Sequence, residues 1–190
     1  MTSKFYQNKY KIASNRLKGY DYSAEGAYFI TICTENKEHR LGEIINEELN
    51  GNVYSQIAFE HWNDLPNHYP GCNLDQFVVM PNHIHGIIMI MYPIGTDIDK
   101  LNSIQKKELK IYPVSEMIRA FKTFSTKKIN EINNSKGASF WQKNYYDRVI
   151  RSEEELNRIR EYIYYNPMRW EWNKSFFEKC ILRENGIPDD

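Results

Sequence analysis

The chain has 190 residues, 41% of them hydrophobic and 26% charged, with a formal net charge of zero. That length suits one domain with a real core, and no apolar run approaches the ~20 residues that a membrane span needs. Neutrality argues mildly against a nucleic-acid partner, because phosphate binding wants lysine and arginine.

The distribution of charge softens that objection. Residues 1–20 carry Lys4, Lys9, Lys11, Arg16 and Lys18 and no acid. Residues 115–151 carry eight basic residues against Glu116, Glu131 and Asp147. The balancing acids sit elsewhere, so a neutral total is compatible with a basic face. Cys33, Cys72 and Cys180 are far apart and form no C-x-x-C pair. They read as reduced thiols rather than a zinc site. The first eleven residues lack the apolar core of a signal peptide, so a cytoplasmic location is the expectation.

Along the chain, the first ~25 residues lack periodicity and read as an arm or extended lead-in. Residues 28–34 are β-branched and aromatic, so a strand; residues 41–45 suit a second, short strand after a polar turn. Residues 52–65 read as a helix with Val53, Ile57 and Trp62 towards one face, stopped by Pro66. Residues 76–80 and 83–90 are two apolar strands, separated at Pro81-Asn82 and expected to pair antiparallel. Residues 93–112 look like a loop or insertion. Residues 115–132 form a helix with Ile118, Phe121, Phe124 or Ser125, and Ile132 towards the core, and Arg119, Lys122 and Lys127 on other faces. A turn over 133–139 leads to a last strand within 140–150. Ser152 and Glu155 match a capping box, opening a helix with Leu156, Ile159 and Ile163 as its buried stripe. The order of elements predicts an α+β fold: a ferredoxin-like antiparallel sheet with helices on one face, plus a C-terminal helix.

Two constellations carry chemistry. In the first, His83 and His85 flank Ile84 on a strand, so both imidazoles project to the same side. Spaced about 7 Å along the strand, they can converge on one divalent ion; imidazole suits Zn, Mn, Fe or Ni more than Mg. An incidental pair, one buried and one exposed, is the plainer alternative for this tripeptide alone. In the second, Tyr162 and Asn166 lie one turn apart on a helix and share a face. A tyrosine hydroxyl can attack phosphorus, but its free pKa is about 10, so a metal must withdraw charge from the phosphate. The amide oxygen of Asn166 would complete the metal's protein ligands. Tyr162, Tyr164 and Tyr165 as packing residues are the alternative for this segment alone.

The two signals reinforce each other in context. Residues 16–22 (RLKGYDY), 26–34 (GAYFITICT), 77–86 (FVVMPNHIHG), 121–124 (FKTF), 140–147 (FWQKNYYD) and 162–167 (YIYYNP) occur in this order. In this combination the chain, from about residue 16 to 170, resembles the HUH-type single-tyrosine transposases, in particular the REP-associated tyrosine transposases. The resemblance implies a metal-dependent enzyme that cleaves and rejoins hairpin-bearing single-stranded DNA through a 5′-phosphotyrosine. It implies Tyr162 as nucleophile, and His83, His85 and Asn166 as ligands of a divalent metal, Mg²⁺ or Mn²⁺. In the wider family the last position is often glutamine, one methylene longer. On this reading residues 1–25 are a basic arm, 26–170 the catalytic domain and 171–190 a tail, in a monomer or homodimer. Arg16, Lys18, Tyr20, Arg119, Lys122, Arg148 and Arg151 are the candidate DNA contacts, supplying charge and stacking. His39, His61 and His68 are expected to be structural. Rival readings are a catalytically silent module that grips hairpin DNA or RNA, and a metal-dependent nuclease that uses water.

Overall fold

The computed structural model describes residues 5–6, 9–10, 17, 19–92, 100–109 and 111–172. Two short strands, β1 (Phe5–Tyr6) and β2 (Lys9–Tyr10), pair antiparallel at the start. The main sheet has four strands: β3 (Gly26–Cys33), β6 (Cys72–Met80), β7 (His83–Ile90) and β8 (Tyr146–Ile150). Their order is β6-β7-β3-β8, with every neighbouring pair antiparallel. A separate hairpin, β4 (Gly42–Ile45) with β5 (Glu48–Gly51), precedes α1 (Val53–Asn63). The other helices are α2 (Leu65–His68), α3 (Ser103–Glu108), α4 (Val114–Ile132), α5 (Glu153–Tyr164) and α6 (Asn166–Trp172). This is the expected ferredoxin-like arrangement. No helix among the described residues is long and apolar enough to cross a membrane.

Strand alternation divides the sheet into two faces. Tyr28, Ile30 and Ile32 of β3, with Ile84, Ile88 and Ile90 of β7, join the larger core with Ile57 and Trp62 of α1 and Met117, Ile118 and Phe121 of α4. The intervening residues, Ala27, Phe29, Ile87 and Met89, face the other way and meet Leu156, Ile159 and Ile163 of α5. Full burial of a side chain such as Leu156 or Ile163 is worth about 1.5–3 kcal/mol. The face away from α1 and α4 is therefore covered by α5, and the histidines lie on it.

Several expectations need correction. Pro66 does not end the helical run; α1 stops at Asn63, and Pro66 sits in the first turn of α2, where a missing N–H does no harm. Residues 93–112 contain α3, and of these residues 93–99 and 110 lie outside the described ones. Val53 and Ile132 are about half exposed, and of the alternatives Phe124 and Ser125 it is Ser125 that is fully buried. Ser125 takes the core position because its Oγ accepts the Trp141 Nε1–H at 2.9 Å and donates to the Phe121 carbonyl at 2.6 Å.

Candidate active site

The strand register builds the site. Thr31 of β3 stands opposite His85 of β7 and opposite Tyr146 of β8, and Cys33 stands opposite His83. His83 and His85 share the α5 face, as their alternation predicts, and are 1% and 0% exposed. Their Nε2 atoms lie 3.1 Å apart. The Nδ1 atoms have separate partners: His83 Nδ1 lies 2.7 Å from Asn82 Oδ1, and His85 Nδ1 lies 2.8 Å from Thr31 Oγ1. Phe29 stacks on the His85 ring at 5.2 Å.

Helix α5 brings the phenol. Its start is capped by Ser152, whose Oγ accepts the Glu155 N–H at 3.1 Å. Leu156 and Ile163 anchor its buried stripe, and Arg160 ties it to β6 through both oxygens of Asp75, at 2.8 and 2.6 Å. Tyr162 then lies with its hydroxyl 3.3 Å from His85 Nε2 and its ring against both His85 and Phe29. Among the described residues, Tyr164 and Tyr165 form no such contact; they are 65% and 36% exposed and pack on each other. Geometry thus separates the three tyrosines of this segment.

Tyr162 and Asn166 do not share one uninterrupted helix, a second correction. Helix α5 ends at Tyr164, Tyr165 caps it, and Asn166 opens α6. Pro167 cannot donate a backbone bond to residue 163, and its ring crowds that carbonyl, so the run is broken just before it. The one-turn spacing nevertheless survives. Tyr162 touches His85, and eight residues on, the Trp170 ring lies 5.8 Å from that of His83. Asn166 falls midway between them along the chain, 2% exposed, and its buried Oδ1 has no hydrogen-bond partner among the described residues.

These features fit a divalent ion. Two nitrogens bound at about 2.1 Å to one ion stand about 3.0–3.4 Å apart, for bond angles from octahedral to tetrahedral; the Nε2 pair lies within that range. Burial, then the neighbouring His85, Lys37 and His39, hold the His83 imidazole well below the ordinary histidine range. Burial pushes His85 down to about 3. Both are therefore neutral at physiological pH, which is the ligating form. Among the described residues no cluster of three or more His, Cys, Asp or Glu gathers around an ion. Among the described residues a third protein ligand would come from another type of group, and the buried amide oxygen of Asn166 is the candidate donor.

Tyr20, Arg119 and Lys122 lie on the other side of the sheet from this pocket. Arg16 and Lys18 fall outside the described residues. Tyr20 packs edge-on against Tyr22 and Tyr28 beside the larger core. Arg119 pairs with Glu116. Lys122 turns its ammonium inward, donating to the carbonyls of Gln142 at 2.5 Å and Lys143 at 2.8 Å. Both belong to α4, which packs on the opposite face of the sheet. Arg148 bonds Glu155 at 2.7 Å, and Arg151 is exposed just before α5. His61 bonds the Ile57 carbonyl and His68 bonds Asp64, both outside the pocket, whereas His39 lies against Trp170.

A separate groove of about 950 Å³ runs between the second half of α4 and residues 134–143. Lys122, Lys127, Lys136 and Lys143 line it, against Glu35 and Glu131. Sequence reasoning gave no role to Thr31, Asn82 or Trp170. Only Asn82, adjacent to His83, carried a local signal; the others reach the site through tertiary contacts.

No family model matches the chain. A Haemophilus influenzae protein of uncharacterised function is 35% identical over 182 residues, which is 94% of this chain and 100% of that protein. Another protein of the same organism, provisionally named a REP-associated tyrosine transposase, is 24% identical over 178 residues, 90% of this chain and 89% of its own length. Among solved structures, a REP-associated tyrosine transposase bound to a REP hairpin aligns with 83% of this chain and 74% of its own, at 20% identity and a TM-score of 0.48. A Deinococcus radiodurans structure, provisionally described as a transposase, aligns with 78% of this chain and 94% of its own, at 16% identity and a TM-score of 0.40.

Proposed function

We propose that this chain is a member of the REP-associated tyrosine transposase family and that it cleaves and rejoins hairpin-bearing single-stranded DNA with Tyr162 as its nucleophile. The observation that carries this reading is the meeting of one phenol with a buried imidazole pair, 3.3 Å from its nearer nitrogen. Tyr162 Oη attacks a backbone phosphorus. The O–P bond forms as the bond to the 3′ oxygen breaks, the phenol proton is lost, and the released 3′ oxygen takes up a proton. The DNA is left as a 5′-phosphotyrosine and a free 3′-hydroxyl, which can attack in turn and reverse the exchange. One phosphodiester replaces another, so no external energy source is required.

His83, His85 and Asn166 would hold a divalent ion, Mg²⁺ or Mn²⁺, and that ion supplies Lewis-acid stabilisation of charge on the phosphate oxygens. Asn82 and Thr31 orient the two rings, and Phe29 holds the His85 ring by stacking on it. Lys127, Lys136 and Lys143 of the α4 groove, with Arg148 of β8 and Arg151 just before α5, would give the surface on which DNA phosphates lie.

The test is a covalent trap. Labelled single-stranded DNA from the sequence flanking the gene is incubated with the protein and Mg²⁺ or Mn²⁺, then run on a denaturing gel. A protein-linked DNA band is expected for the wild type and for Tyr164→Phe and Tyr165→Phe. It should be absent for Tyr162→Phe, which should still shift the same DNA on a native gel. Persistence of the adduct in Tyr162→Phe refutes the assignment.

A further inference from the structure

We propose that Asn82 is a positioning residue that fixes the tautomer of His83 and so aims its Nε2 lone pair into the site. The role rests on the metal-site reading above, although the tautomer itself can be observed without metal. The argument uses only donors and acceptors. Asn82 Nδ2 donates to the Lys37 carbonyl at 3.1 Å. A carbonyl can only accept, so the amide orientation is settled and the Oδ1 atom faces His83. That oxygen also can only accept, so His83 Nδ1, 2.7 Å away, must carry a hydrogen and donate it. A neutral imidazole has one N–H. Nε2 is therefore the lone-pair nitrogen, and it is the one facing His85 Nε2.

The segment that supplies the Lys37 carbonyl is built for this purpose at some conformational expense. Asn36 and Lys37 both adopt left-handed backbone, at φ 56° and 55°, with no glycine to ease it. The turn is held by Lys37 N–H donating to the Thr34 carbonyl at 3.0 Å and by Thr34 Oγ1 donating to the Glu38 carbonyl at 2.6 Å. Thr34 N–H in turn donates to the Asn82 carbonyl at 2.9 Å. The amide side chain is thus fastened at its own main chain and at its Nδ2, and only its oxygen is left for the imidazole. A relay from backbone carbonyl to amide to imidazole is a neutral counterpart of the carboxylate–histidine pairs that orient metal ligands.

Two measurements decide it. Nitrogen-15 NMR of the metal-free wild type, with labelled histidine, should show His83 as the Nδ1–H form; an Nε2–H form overturns the proposal without any variant. Calorimetric titration with Mn²⁺ then compares Asn82→Ala with Asn82→Asp. Asn82→Ala removes the acceptor and should weaken binding about 10–100-fold, while Asn82→Asp keeps the acceptor, loses the bond to Lys37, and should stay within about threefold of wild type. Equal losses in both variants would mean that Asn82 merely pins the turn, and no loss in Asn82→Ala would mean that it does nothing for the ligand; either result overturns the proposal. Should Asn82→Ala fail to fold by thermal melting, the NMR result and Asn82→Asp decide alone. A wild type that shows the Nδ1–H tautomer yet binds no Mn²⁺ refutes the metal reading instead.

Discussion

Replacing Gly86 with alanine tests how tightly the histidine strand is seated on the core. Gly86 lies between His85 and the larger core, on the face opposite the imidazoles. A Cβ there would stand 2.3 Å from Trp62 Cζ2 and 2.9 Å from both Cε2 and Cη2. Carbon atoms pack at about 3.5–4.0 Å, so the nearest contact is short by more than 1 Å. The indole has nowhere to go. Trp62 is fully buried, stacked on Phe77 at 4.9 Å and met edge-on by Phe121 at 5.7 Å. Overpacking of this kind costs about 1–3 kcal/mol, and a clash of this depth against an immobile ring belongs at about 3 kcal/mol. For a chain of this size each kcal/mol moves Tm by about 2–4 °C, so a fall of about 6–12 °C is expected in a thermal melt. Trp62→Phe should relieve the clash, because it removes the six-membered ring portion of the indole that the new methyl meets. Among the described residues it breaks no hydrogen bond, since Trp62 Nε1 has no partner there. The double variant should therefore lose less than the two single losses added together. Gly86→Ala within about 0.5 kcal/mol of wild type would refute the packing argument.

Other predictions follow from single contacts. The unfolded chain takes protons on its histidines below about pH 6.5, whereas burial keeps His83 and His85 neutral in the fold, His85 down to about 3. Stability should therefore be full above about pH 6.5 and fall as pH drops, with a slope of up to about 1.4 kcal/mol per pH unit for each imidazole. Urea midpoints in metal-free buffer should decline from pH 6.5 to 5, less steeply in His85→Gln; a flat wild-type profile contradicts the burial of neutral rings. Ser125→Ala leaves the buried Trp141 N–H without its acceptor and should cost about 1–3 kcal/mol in chemical denaturation; an unchanged midpoint would show that the indole finds another partner. Ser152→Ala removes the α5 cap and should cost about 1 kcal/mol, with the loss absent in Ser152→Asp if capping is the cause.

Much of the fold was legible because its signals are local. The period-two run around His83 and His85 placed both imidazoles on one face, and Ser152 with Glu155 marked the start of α5. The ferredoxin-like order followed from the sequence of element types. What was not legible depends on distant partners. Thr31 becomes a neighbour of His85 only through the β3–β7 register. Ser125 displaces Phe124 from the core because Trp141, sixteen residues away, needs an acceptor. Lys122 was read from helix periodicity as an outward cation, yet residues 142–143 pass close enough for their carbonyls to capture it. The interruption between Tyr162 and Asn166 was not read from the sequence, which placed both on one helix; Pro167 is compatible with either ending a helix or opening one.

The placement of β8 at the edge of the sheet, with α5 following directly from it, sets the order in which the pocket can be assembled. The imidazole pair belongs to β7, flanked by β6 and β3, and depends on no residue after 90 for its place in the ladder. The phenol arrives only when the final strand closes against β3, across a sequence separation of about 120 residues, the kind of distant pairing that forms slowly. During synthesis Tyr162 therefore reaches the imidazoles late, and a chain interrupted before residue 146 carries the imidazole pair without the phenol that α5 brings to it.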